Sequence, residues 1–79
     1  MIGRYLQNAL RRAHYRLLED GTFCATVPGL RGVIATGRTL EASREQLAEV
    51  IEEWVLVRVA RGLNVPAIGG QKVQVRKAG

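Results

Sequence analysis

Seventy-nine residues with 47% apolar and 24% charged side chains suit one small domain, with room for a single sheet and one or two helices, and exclude a disordered chain. The single cysteine, Cys24, excludes an internal disulfide and a cysteine metal pair. No apolar run approaches the roughly 18 residues of a membrane span, and the start MIGRYLQNALRRAHYRLL lacks the apolar core of a signal peptide, so a cytoplasmic chain that meets no membrane is expected.

The first element in chain order is a short helix over 1–13. Tyr5, Leu6, Ala9, Leu10 and Ala13 recur at helical spacing, and so short a helix needs docking to persist. A three-strand meander over 14–37 follows. YRLLEDGTFCATV reads as a hairpin around Asp20-Gly21. A two-residue loop would set Leu18 opposite Phe23 and Arg16 opposite Ala25, mixing charge into the apolar face. A three-residue loop, Glu19-Asp20-Gly21, pairs Leu17 with Phe23 and Tyr15 with Ala25, which gives one apolar face and puts Gly21 where a left-handed residue is needed. Val27-Pro28-Gly29-Leu30 fits a type II turn, and the β-branched run Val33–Thr36 reads as the third strand.

The main helix is expected over 39–62, with Thr39 as N-cap and Gly62 as the stop. At about 100° per residue, Leu40, Leu47, Val50, Ile51, Trp54, Val55 and Val57 fall on one arc, and Glu41, Glu45, Glu49, Glu52 and Glu53 fall opposite. Leu56 and Val59 project to the glutamate side. They are either scattered exposed hydrophobes or a subunit contact, and Leu56 and Val59 are the candidate oligomer contact. After LNVPAIGG, the alternating run QKVQVRK reads as a last strand over 71–77. The whole, residues 1–79, is one α+β domain.

No constellation carries chemistry. Gly32 and Gly37, followed by Arg38-Thr39, come close to a phosphate loop, but Val33–Thr36 between them favours a paired strand, and arginine replaces the lysine. His14 is the only histidine, Asp20 belongs to a turn, and Cys24 needs a basic neighbour to act as a nucleophile. The expectation is a protein that is not an enzyme, with no catalytic residue, no cofactor and no metal. The net charge of +5 leaves nucleic acid open: Arg4, Arg11, Arg12 and Arg16 are unaccompanied by acid over residues 1–18. Solvated faces explain the same arginines.

The ordered set Tyr15, Asp20-Gly21, Val27-Pro28, Leu30, Gly32, Thr36-Gly37, Thr39-Leu40, Trp54, Gly62 and Pro66 resembles the HicB family of type II antitoxins, partners of HicA toxins that cleave messenger RNA. Gly29 and Arg31 depart from the acidic residue and proline usual there. The resemblance implies a truncated ribonuclease H-like fold, in which Gly21, Pro28, Leu30, Gly32, Gly37, Thr39, Trp54 and Gly62 are structural. It also implies a HicA-type toxin as partner and a homodimer or larger homo-oligomer. The similarity is to a short form without the C-terminal DNA-binding domain, so operator binding is not expected. Glu45, Glu49 and Glu52 are the candidate partner-binding residues, or else plain solvated helix. The alternative function is a nucleic-acid-binding or orphan regulatory protein of the same family.

Overall fold

A computed structural model describes residues 2–68, apart from the side chain of Ile2. Helix α1 (Ile2–Arg11) leads into β1 (His14–Leu17), β2 (Phe23–Thr26), β3 (Ile34–Gly37) and α2 (Leu40–Ala60). The strands form an antiparallel sheet in the order β1-β2-β3. The fold is α+β, as the element order predicts, and the run expected as a strand over 71–77 lies outside the described residues.

Turn chemistry sets the register. Leu17 pairs with Phe23 and Tyr15 with Ala25, so the longer of the two hairpin loops is the one that forms. The Gly21 amide donates to the Leu18 carbonyl at 3.0 Å, and Gly21 takes φ 87°, a value that a side chain there would strain. Asp20 fastens the loop by accepting from the Thr22 amide at 3.0 Å and its hydroxyl at 2.6 Å. Between β2 and β3 the chain makes two successive turns. Leu30 donates to Val27 across Pro28-Gly29, and Val33 donates to Leu30 across Arg31-Gly32. The second turn delays the strand by one residue relative to the expected Val33–Thr36, so β3 starts at Ile34 and includes Gly37. Val33 stays buried at its mouth.

Both helices serve one core. Tyr5 and Ala9 of α1, Ala25 of β2, Val33 and Ala35 around β3, and Leu47, Ile51 and Val55 of α2 are buried together with Val27, Leu30, Val65 and Ile68. Leu6, Leu10 and Ala13 pack against this cluster, which accounts for the whole stripe read from the N-terminal segment.

Helix α2 packs on β3 and less on β2. Consequently β1 lies beyond its cover, and Leu17 is 63% exposed although its register places it on the apolar face. The predicted apolar arc of α2 is corrected at both ends. Leu40 and Val57 are exposed, while Ser43 is fully buried beneath the first turn. The cause is length. At about 1.5 Å per residue α2 runs about 31 Å, whereas a four-residue strand spans about 13 Å. The sheet covers part of the helix only. Beyond the sheet, α1 and the segment Leu63–Ile68 do the covering, tied by the Tyr5 hydroxyl, which donates to the Pro66 carbonyl.

Candidate interaction surface

The junction between β3 and α2 answers the question of a phosphate cradle. Residues Ile34–Gly37 are extended and paired with β2, with Ala35 opposite Ala25 and Gly37 opposite Phe23. Their backbone is therefore extended along a sheet, not wrapped around an anion. Gly37 is glycine for another reason: a Cβ there would stand 2.7 Å from the carbonyl carbon of Ala42 and 2.9 Å from the Cα of Ser43. The strand ends pressed against the backbone of the helix it leads into. Thr39 caps that helix, its Oγ1 accepting from the Ala42 amide at 3.0 Å. The Ser43 hydroxyl, buried at the contact, donates to the Leu40 carbonyl at 2.7 Å.

The far end of α2 closes with equal definition. Gly62, at φ 70°, donates to the Val59 carbonyl, and Leu63 donates to the Arg58 carbonyl at 2.8 Å, the paired bonds of a Schellman stop. Arg58 Nε donates to the Asn64 carbonyl at 2.6 Å, and the Arg58 guanidinium lies 4.8 Å from the centre of the Trp54 ring. Burial raises the Tyr5 phenol above its ordinary value, with the nearby Arg58 charge acting against that shift.

The structure therefore sorts the expected residues. Gly21, Pro28, Gly32, Gly37, Thr39 and Gly62 shape turns and caps, Leu30 is core, and half-buried Trp54 packs against the core beneath Arg58. Glu45, Glu49 and Glu52 are exposed on successive turns of one side of α2, with Glu41 and Glu53 exposed beside them. Leu56 and Val59 part company. Leu56 is 50% exposed, while Val59 is half-buried and packs against the core, so the placement of Val59 on the solvent side is corrected. The remote segment that follows Gly62 supplies cover that helical periodicity does not register.

Two depressions stand out among the described residues. One, of 360 Å³, runs along the second half of α2 between Val50, Trp54, Val57 and Leu63, with Glu53 and Arg61 at its margins. The other, of 420 Å³, lies on the sheet and is lined by His14, Arg16, Cys24 and Thr26 as well as Tyr15. The register sets Arg16 across from Cys24, supplying the basic neighbour that the cysteine lacks in the linear sequence. No acid lines this depression, and among the described residues no three of His, Cys, Asp and Glu come together to hold a metal. Among the described residues the buried Tyr15 hydroxyl has no hydrogen-bond partner.

A three-stranded meander under a long helix, with a short helix packed on that helix, capped turns and a bare carboxylate ridge, defines a small α+β domain with a helix on display. Residues 4–66 match the UPF0150-like family, and the chain belongs to that family. Its structure is similar to the crystal structure of TTHA0281 from Thermus thermophilus, with a TM-score of 0.89, 32% sequence identity, and coverage of 96% of this chain and 95% of that one. No curated protein matches the sequence. No helix among the described residues is long and apolar enough to cross a membrane.

Proposed function

We propose that this chain is a HicB-like antitoxin, an interaction protein without chemistry of its own that binds and neutralises a HicA-type mRNA-cleaving toxin in the cytoplasm. On this reading the meander and crossing helix are the truncated ribonuclease H-like scaffold of that family, and the working surface is the carboxylate ridge of α2. The observation that carries the proposal is the exposure of Glu45, Glu49 and Glu52 together. Glu45 and Glu49 stand four residues apart, and Glu49 and Glu52 three, so each pair repels across one turn and costs the isolated helix about 0.2–0.5 kcal/mol. The positive end of the helix dipole offsets such a cost only within the first turn, where Glu41 already sits. A cationic partner turns the same repulsion into attraction: a ribonuclease presents basic side chains to its RNA, and a ridge of carboxylates meets them at the surface that must be covered. The ordered motif set from Tyr15 to Pro66 supports the choice of toxin class.

The test is a chain carrying Glu45→Lys, Glu49→Lys and Glu52→Lys, co-expressed with a HicA-type toxin. The expected result is loss of toxin capture and of growth rescue, with an unchanged circular dichroism spectrum and melting curve. Retained capture removes the ridge from the interface. Failure of the unaltered chain to capture or rescue removes the antitoxin reading itself.

A further inference from the structure

The side of the sheet that α2 leaves uncovered carries hydrogen-bond donors and no acid. Ala25 and Ala35 are buried against the core, so strand alternation turns Cys24 and Thr26 to the opposite side, and the register brings His14 and Arg16 with them. His14 stands opposite Thr26 and Arg16 opposite Cys24, about 5 Å apart across the strands and about 7 Å apart along them. These four side chains, with Tyr15, line the 420 Å³ depression on the sheet, a volume within the range of about 300–1,000 Å³ usual for small-ligand sites. No carboxylate of the sheet answers Arg16. All seven acidic residues of the chain lie elsewhere: Glu19 and Asp20 in the first hairpin loop, the others on α2. Asp20 is engaged within its own loop by the amide and hydroxyl of Thr22.

We propose that this depression binds the phosphate monoester of a small molecule, with Arg16 and His14 holding the phosphoryl oxygens. The guanidinium presents a planar fork of N–H donors that matches two oxygens of one phosphoryl group, and it stays charged at any physiological pH. The imidazole donates one N–H when neutral and two when protonated, and the Thr26 hydroxyl donates as well. Three donors on two strands therefore surround one position, with no carboxylate to repel an anion there. Arg11 and Arg12, exposed where α1 runs into β1, add to the positive field around it. The count of cations selects a monoester over a nucleic-acid backbone. Phosphodiesters in a strand are met by a track of cations, with aromatic faces for the bases. On this side of the sheet the strands carry one arginine and one histidine, both on β1, and no aromatic residue. Such a compact pair suits a terminal phosphate, which bears about −1.5 to −2 charges at pH 7. The inference does not rest on toxin binding, because the site faces away from α2 and its carboxylate ridge.

The experiment is a titration of the purified full chain at constant ionic strength, read in its amide NMR spectrum. The probes are adenosine monophosphate, adenosine, inorganic phosphate, and a single-stranded RNA without terminal phosphates. Adenosine monophosphate is expected to shift the amides of β1 and β2 saturably, with a dissociation constant on the order of 1 mM. Adenosine is expected to leave them in place, and inorganic phosphate to shift the same amides more weakly. Arg16→Gln is expected to weaken binding by about tenfold or more, and Arg16→Lys, which keeps the charge and loses the fork, by less. Arg4→Gln, on the exposed side of α1, is expected to bind as the parent does. The spectrum of each variant reports its fold. No saturable shift by about 20 mM adenosine monophosphate overturns the proposal. So does adenosine acting as well as its phosphate, or Arg4→Gln weakening binding as much as Arg16→Gln. Equal affinity for inorganic phosphate would name the free ion as the ligand instead. RNA that shifts these amides at lower concentration than the monophosphate would assign the face to a nucleic acid. The Glu45, Glu49 and Glu52 reversals are expected to leave phosphate binding intact, so its failure and that of the antitoxin reading are told apart.

Discussion

Over its first turns α2 lays Ser43 and Leu47 against β3 and sends Glu41, Glu45 and Glu49 to solvent; over its last turns Val55 stays buried while Leu56 and Val57 are about half exposed. The first half obeys ordinary amphipathic patterning because a sheet lies under it. The second half outruns the sheet and is covered only in part, by α1 on one side and the Leu63–Ile68 return on another. Apolar residues in the first half are therefore bound to folding. Those in the second half are free to serve association, and this difference makes α2 both the beam of the fold and its display surface.

The largest test of that division is a matched pair of truncations. Leu47→Ala empties a fully buried site and is expected to cost about 2–5 kcal/mol in chemical denaturation, enough to threaten the fold of so small a chain. Leu56→Ala, on the exposed side of the overhang, is expected to stay within about 0.5 kcal/mol of the parent. Equal losses would erase the distinction between the halves. Next in size is Gly37→Ala. Its methyl meets helix backbone that has no rotamer to turn, so a loss of about 1–3 kcal/mol or more is expected. A neutral outcome in thermal melts would mean that β3 and α2 separate freely at their junction. Thr39→Ala removes one cap bond at the same junction and is expected to cost about 1 kcal/mol.

The sequence is most legible where a local rule decides. The Glu19-Asp20-Gly21 loop follows from pairing faces, the cap at Thr39 from its side chain, and the stop at Gly62 from its freedom at positive φ; all three hold. Legibility fails where the deciding partner is distant in the chain. Helical periodicity orders the residues of α2 around its axis but carries no information on how much of the axis the sheet covers, so it assigns Leu40 and Val57 to the core and Val59 to solvent, the reverse of where they lie. Ser43 carries no apolar signal, yet it is buried because only a small side chain lets the helix approach Gly37. The second turn, at Arg31-Gly32, is visible in sequence as a glycine, but its consequence for where β3 begins depends on the ladder with β2. Of the surface, the glutamate ridge is legible from charge alone, and the groove is not, because Leu63 reaches it only through the Schellman turn.

The smallest expected effect probes the overhang's own fastening. The Tyr5 hydroxyl bonds the Pro66 carbonyl, 61 residues away, and burial holds the phenol above its ordinary value of 10.0. A folded-state value above the unfolded one means that the unfolded chain releases this proton first. The contribution of Tyr5 is therefore fully present below about pH 10 and is lost as pH rises through the folded value. Denaturation midpoints measured from pH 8 to pH 11 should hold level and then fall. In Tyr5→Phe, which is less stable at neutral pH by the missing bond, the alkaline fall should be shallower than in the parent. The residues released first should be those of the Leu63–Ile68 return, seen as faster amide exchange there while Leu47 and Ile51 remain protected. Simultaneous loss of protection in both places would show that the return is continuous with the core, and that the two halves of α2 answer to one cooperative unit.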